Sequence, residues 1–138
     1  MRVLNIPDII DKLWEKWYRR RPNIETNYLR SEGVDEDTGE IVGALKVTFQ
    51  NRSDRKFKVK HGHVVEVNGE HIMISDSFDE FVVEPHDFET RKLTFRYDGE
   101  NLFTEGKNTG IISYYLKDEK GGGHRKAKVK DEYDPNTI

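Results

Sequence analysis

FKVKHGHVVEVNGEHIMI, residues 57–74, decides the fold. Asn68-Gly69 lies between two runs in which apolar and polar residues alternate. Asn-Gly is the favoured pair for a two-residue hairpin turn, because both residues tolerate positive φ. That turn pairs Val67 with Glu70, Val65 with Ile72, His63 with Ile74 and His61 with Asp76. Strict alternation then puts Phe57, Val59, His61, His63, Val65, Val67, Ile72 and Ile74 on one face. Lys58, Lys60, Val64, Glu66, His71 and Met73 fall on the other. The expectation is a half-buried antiparallel pair with a wet lysine side.

The same period recurs along the chain. Leu45, Val47 and Phe49 alternate with Lys46, Thr48 and Gln50, and Leu93, Phe95 and Tyr97 with Lys92, Thr94 and Arg96. Ile112, Tyr114 and Leu116 repeat it. Turn chemistry separates the runs at Asp37-Thr38-Gly39, Asn51-Arg52-Ser53-Asp54, Asp98-Gly99 and Gly121-Gly122-Gly123. Strands are expected near 25–32, 40–50, 55–67, 71–76, 79–84, 91–97, 101–104, 110–117 and 124–130. Short strands at this spacing predict a mainly β chain folded as an antiparallel β-sandwich, immunoglobulin-like or jelly-roll-like, with a barrel as the alternative.

Ahead of the strands the period changes. Ile6, Ile9, Ile10, Leu13, Trp14 and Trp17 follow helical spacing, with Asn5 as N-cap, Pro7 in the first turn and Pro22 as the stop. This predicts one N-terminal amphipathic helix over 5–21. The expected organisation is a single domain over 1–130, with the sandwich over 24–130, and a flexible tail at 131–138.

The stretch Leu45 to Tyr97 resembles immunoglobulin-like accessory sandwiches. It has a strand, the Asn51-Arg52-Ser53-Asp54 turn, the Asn68-Gly69 hairpin, and Val83-Glu84-Pro85 leading into a strand at Leu93. The resemblance covers under half the chain. It lacks the Cys–Trp–Cys pattern of true immunoglobulin domains, and it implies shape rather than activity.

Composition bounds the chemistry. Charged residues make up 36%, hydrophobic residues 34% and aromatics 11%, with a formal charge of −3. Bulk charge gives no pull toward nucleic acid, so such binding needs a local basic patch. Cysteine is absent, which excludes disulfides, thiolate nucleophiles and Cys-based metal sites. No apolar run reaches the roughly 18 residues of a membrane span, and the N-terminus lacks the uninterrupted apolar segment of a secretion signal. A cytoplasmic or virion location is expected. No serine sits in a nucleophile elbow and no Gly-rich run opens a helix, so hydrolase and phosphate-loop chemistry lack a basis. Asp35 to Glu40 lacks the twelfth-position glutamate of a calcium loop and reads as a hairpin turn. Glu84-Pro85-His86-Asp87 places a titratable ring among carboxylates in a turn.

Three functional readings follow. The first is a non-enzymatic structural or adaptor protein without a cofactor, consistent with virus- or plasmid-encoded origin. It would dock a protein partner, or a second copy in a homo-oligomer, through Ile6, Ile10, Leu13, Trp14 and Trp17, since tryptophan is a favoured interface anchor. The second is a nucleic-acid-binding module built on Arg19, Arg20, Arg21, Lys58, Lys60, Lys126, Lys128 and Lys130, with Tyr114 and Tyr115 as stacking aromatics. Outward lysines also guard strand edges against aggregation. The third is a metal-dependent enzyme using His61, His63 and Asp76, a two-histidine, one-carboxylate set expected on the core side of the hairpin. A bulge at Gly62 would turn His63 outward.

Overall fold

The computed structural model describes residues 22–73 and 76–131. The expected helix over 5–21, Ile74 and residues 132–138 lie outside them. Among the described residues eight strands follow in chain order: β1 (Asn23–Val34), β2 (Ile41–Gln50), β3 (Phe57–Val67), β4 (Glu70–His71), β5 (Phe81–Val83), β6 (Phe88–Tyr97), β7 (Thr109–Asp118) and β8 (Gly121–Lys130). They form two antiparallel sheets. The first has the order β1-β2-β6. The second has the order β4-β3-β7-β8, with β5 also pairing β3.

The alternation in β2, β6 and β7 produces the core directly. Leu45, Val47 and Phe49 from β2 and Leu93, Phe95 and Tyr97 from β6 face Val59, Ile112, Tyr114 and Leu116 from the second sheet, all buried. Phe49 is the hub. Its ring meets Phe81 at 5.2 Å, Tyr114 at 5.7 Å and Phe78 at 6.3 Å, each edge to face. Each such pair adds about 0.5–1.5 kcal/mol beyond the apolar area it buries. The sheets do not join into a barrel. Their edges approach where the Lys130 N–H on β8 donates to Thr26 Oγ1 on β1 at 3.1 Å.

Two expected strands differ. Within the run at 71–76, the described residues 72, 73 and 76 are not strand, and β4 is Glu70–His71. The run at 101–104 is a loop, because side-chain oxygens take the hydrogen bonds a ladder would have used. Asn101 Oδ1 accepts from the Phe103 N–H and Asn108 Oδ1 from the Thr104 N–H. Buried Asn108 also donates to the carbonyls of Leu29 and Thr104, tying the loop to β1. Asp131, expected to open the tail, is buried, and its N–H donates to the Asn108 carbonyl.

β3 departs most from strict alternation. The Asn68-Gly69 turn pairs Val67 with Glu70, as expected. Upstream, the register against β7 slips between Lys60 and His63 and again between Val64 and Glu66. Each slip is a bulge that adds one residue to β3 and reverses which parity faces the core. At the first, His61 adopts φ 51° and is exposed, while Gly62 is buried. The Phe78 N–H donates to the Gly62 carbonyl at 2.7 Å, and a Cβ on Gly62 would lie 2.5 Å from the Phe78 ring. After the bulge Val64, expected outside, is fully buried, and His61 and His63, expected inside, are not. The second bulge restores Val67 to the core and leaves Val65 half-buried.

The Asp35–Glu40 turn is a hairpin loop, as expected. Asp35 Oδ1 accepts from the Asp37 N–H at 2.9 Å, and the Arg96 guanidinium sits on Oδ2. The Asp37 N–H first, and Arg96 second, hold this carboxyl below its ordinary value.

Two outcomes are expected. Gly62→Ala should lower the urea-unfolding free energy by about 1–3 kcal/mol, because the added methyl overpacks Phe78; an unchanged midpoint contradicts that packing. Asp35→Ala should lower the melting temperature at neutral pH. A depressed carboxyl stabilises the fold above its unfolded value, 3.8 for this group, and loses that contribution as pH falls through the folded value. The melting-temperature gap from the native protein should therefore close in acid; a gap that persists below pH 2 contradicts the assignment.

Candidate functional site: a lysine face on the second sheet

The register of the second sheet brings both hexapeptides, RKFKVK at 55–60 and RKAKVK at 125–130, onto one surface. β7 lies between β3 and β8 and pairs with both. Lys58 stands opposite Lys117, Lys60 opposite Tyr115 and His63 opposite Ser113. On the other flank Tyr115 stands opposite His124, Ser113 opposite Lys126, Ile111 opposite Lys128 and Thr109 opposite Lys130. Since Ile112, Tyr114 and Leu116 are buried, their odd-numbered neighbours on β7 point away from the core. The residues paired with those neighbours share that outer face.

The face is strongly basic. Lys58, Lys60, Lys117, Lys126, Lys128 and Lys130 lie on it, against the acids Glu66 and Glu80. Six lysines thus converge on it in a chain of net charge −3. Lys58 Nζ pairs with Glu80 Oε1 at 2.8 Å. The hydrogen-bonded Lys58 ammonium holds the Glu80 carboxyl below its usual range, and the nearby Lys60 charge acts in the same direction. Among the described residues the other five lysines form no ion pair.

One aromatic ring lies in this field. Tyr115 is partly exposed, and its ring meets His124 edge to face at 5.1 Å. It lies across Gly122, where a Cβ would sit 2.5 Å from the tyrosine hydroxyl and 2.7 Å from Cζ. Only glycine at 122 leaves room for that pose. Tyr114, the other expected stacking aromatic, is buried against Phe49.

Neither histidine of the bulge lines the core: His61 is exposed. His63 lies on the lysine face, and its Nδ1 is 2.9 Å from the His61 carbonyl oxygen, so the ring closes back on its own bulge. This corrects the expectation that His61 and His63 line the core face opposite the lysines. Asp76 is half-buried. Among the described residues no three His, Asp or Glu side chains are placed to hold a metal ion. Ile6, Ile10, Leu13, Trp14, Trp17 and Arg19–Arg21 lie outside the described residues. His86, at φ 57°, places Nε2 2.7 Å from Asp54 Oδ1 in an exposed pair that links two loops.

Lys117 and His124 escaped the sequence reading. The alternation around Leu116 already marks Lys117 as outward. Only the strand order places it between the two hexapeptides.

No family model and no curated protein matches the chain. Among solved structures, the X-ray structure of Northeast Structural Genomics Consortium target SoR45 is similar at a TM-score of 0.53 and 12% identity, over 85% of this chain and 89% of that one. That likeness bears on the fold alone. The FixG-related protein from Vibrio parahaemolyticus (TM-score 0.39, 10% identity, 81% and 97% covered) is more distant. So is the CooA pilin subunit from enterotoxigenic Escherichia coli (TM-score 0.37, 14% identity, 83% and 100% covered). Neither carries an argument. Among the described residues no helix is long and apolar enough to cross a membrane.

Proposed function

We propose that this protein is a non-enzymatic binding module whose working surface is the outer face of the second sheet, with the phosphate backbone of a nucleic acid as its occupant. The observation that carries the reading is the convergence of lysines from three adjacent strands on one surface of an acidic chain. Phosphates draw such a surface by releasing the counterions condensed along the polymer. Edge protection accounts for Lys126, Lys128 and Lys130 on the edge strand β8, but not for Lys117 on β7, which is paired on both sides. Docking through the tryptophan stripe rests on residues outside the described ones, and the described surface favours the second of the three sequence readings.

The strand orders β1-β2-β6 and β4-β3-β7-β8 support an immunoglobulin-like rather than a jelly-roll-like sandwich. They match the arrangement in which strands A, B and E pack on C′, C, F and G. In that frame the lysine face is the outward side of the larger sheet.

With four to six lysines in contact, the logarithm of the association constant for DNA should fall against the logarithm of salt with a slope of about −3 to −5. Removing two charges together, as Lys126→Gln with Lys128→Gln, should weaken binding at least tenfold at low salt and make the slope shallower by about 2. The melting temperature should not change. Fluorescence anisotropy with a labelled oligonucleotide reads both quantities. Binding that ignores salt, or that the double variant leaves unchanged, removes the reading.

A further inference from the structure

We infer that the lysine face takes single-stranded nucleic acid, with Tyr115 as the platform on which a base stacks. This rests on the basic-face reading above and names its substrate class. Tyr115 is the centre of the face. Lys60 stands opposite it on β3, Lys117 follows two residues along β7 on the same side, and Lys126 is its diagonal neighbour on β8. A base laid on the ring therefore has cationic side chains around it to meet the flanking phosphates.

The pose of the ring is built rather than incidental. Gly122 removes the Cβ that would lie within 2.5 Å of the hydroxyl, so the ring can lie down against β8. The edge-to-face contact with His124 holds it from the side. A tyrosine in open solvent needs neither. Partial exposure leaves ring surface available to a ligand. Stacking on an aromatic side chain is the general means of binding single strands without reading their sequence, since every base has a π-face.

Geometry separates single strand from duplex. In a duplex the bases are stacked on each other, and the face of a sheet offers no helix or ribbon to enter a groove. An extended strand, in contrast, can lie along a sheet with its bases turned onto it, as other sheet-based modules do. Lys126, Lys128 and Lys130 recur every second residue of β8, about 6.8 Å apart. That repeat is comparable with the phosphate spacing of an extended single strand.

The test compares three probes on the full-length chain at low salt: a labelled oligothymidine, a duplex of equal length, and heparin, an anionic polymer without bases. The single strand should bind more tightly than the duplex. Tyr115→Ala should weaken the single strand roughly 5- to 100-fold and leave heparin within about twofold, while Tyr115→Phe retains the native affinity. Melting curves of both variants establish that the fold is intact. If the duplex binds as well as the single strand, or Tyr115→Ala weakens oligothymidine and heparin equally, the stacking inference is overturned and the basic-face reading stands. If heparin alone binds, the face serves another kind of anion, and both are overturned. Binding of none of the three overturns the basic-face reading itself.

Discussion

The residue that β3 gains at His61-Gly62 determines which of its side chains face the core up to the second bulge. A strand has two faces, and one inserted residue exchanges them until another insertion restores them. Upstream of the bulge Phe57 and Val59 are buried and Lys58 and Lys60 point out; downstream Val64 is buried and His63 points out. Without the insertion His63 would enter the core and Val64 would face water. The bulge persists because it is gripped: Phe78 donates its N–H to the Gly62 carbonyl and lays its ring where a side chain at 62 would be.

That grip connects the functional surface to the core. Phe78 is buried and reaches Phe49, which in turn meets Tyr114 on β7. Tyr114 faces inward beside Tyr115, which faces outward into the lysines. The two tyrosines divide the work of one strand. One fills the space between the sheets, and the other lies on the surface over Gly122. Burial of the inner residues stabilises the sheet, so the outer face is free to be chosen for what it binds.

Much of the fold was legible in the sequence. The Asn68-Gly69 turn and the alternation in β2, β6 and β7 follow from local patterns, and the structure has them. Three features were not fully legible. Gly62 marks the bulge that turns His63 outward, and the structure has it, but a glycine inside an alternating run also fits an unbroken strand. The loop at 101–104 looks like a strand until side chains claim its N–H groups: Tyr97 that of Leu102, Asn101 that of Phe103 and Asn108 that of Thr104. The order β3-β7-β8 is a long-range fact, and no local pattern states that two similar hexapeptides flank the same neighbour. Hence Lys58, Lys60, Lys126, Lys128 and Lys130 could be named in advance, whereas their union around Tyr115 and Lys117 could not. The opposite error concerned His61 and His63, where parity alone put two rings on the wrong side.

The central claim is that one face of the second sheet meets a nucleic-acid strand. The most direct measurement is a map of backbone amide chemical-shift changes by NMR as unlabelled oligothymidine is added to the isotope-labelled protein. The account predicts changes at Lys60, Ser113, Tyr115, Lys117, His124, Lys126 and Lys128, with β2 and β6 of the first sheet left unmoved. Changes confined to the first sheet, or spread evenly over both, would contradict it.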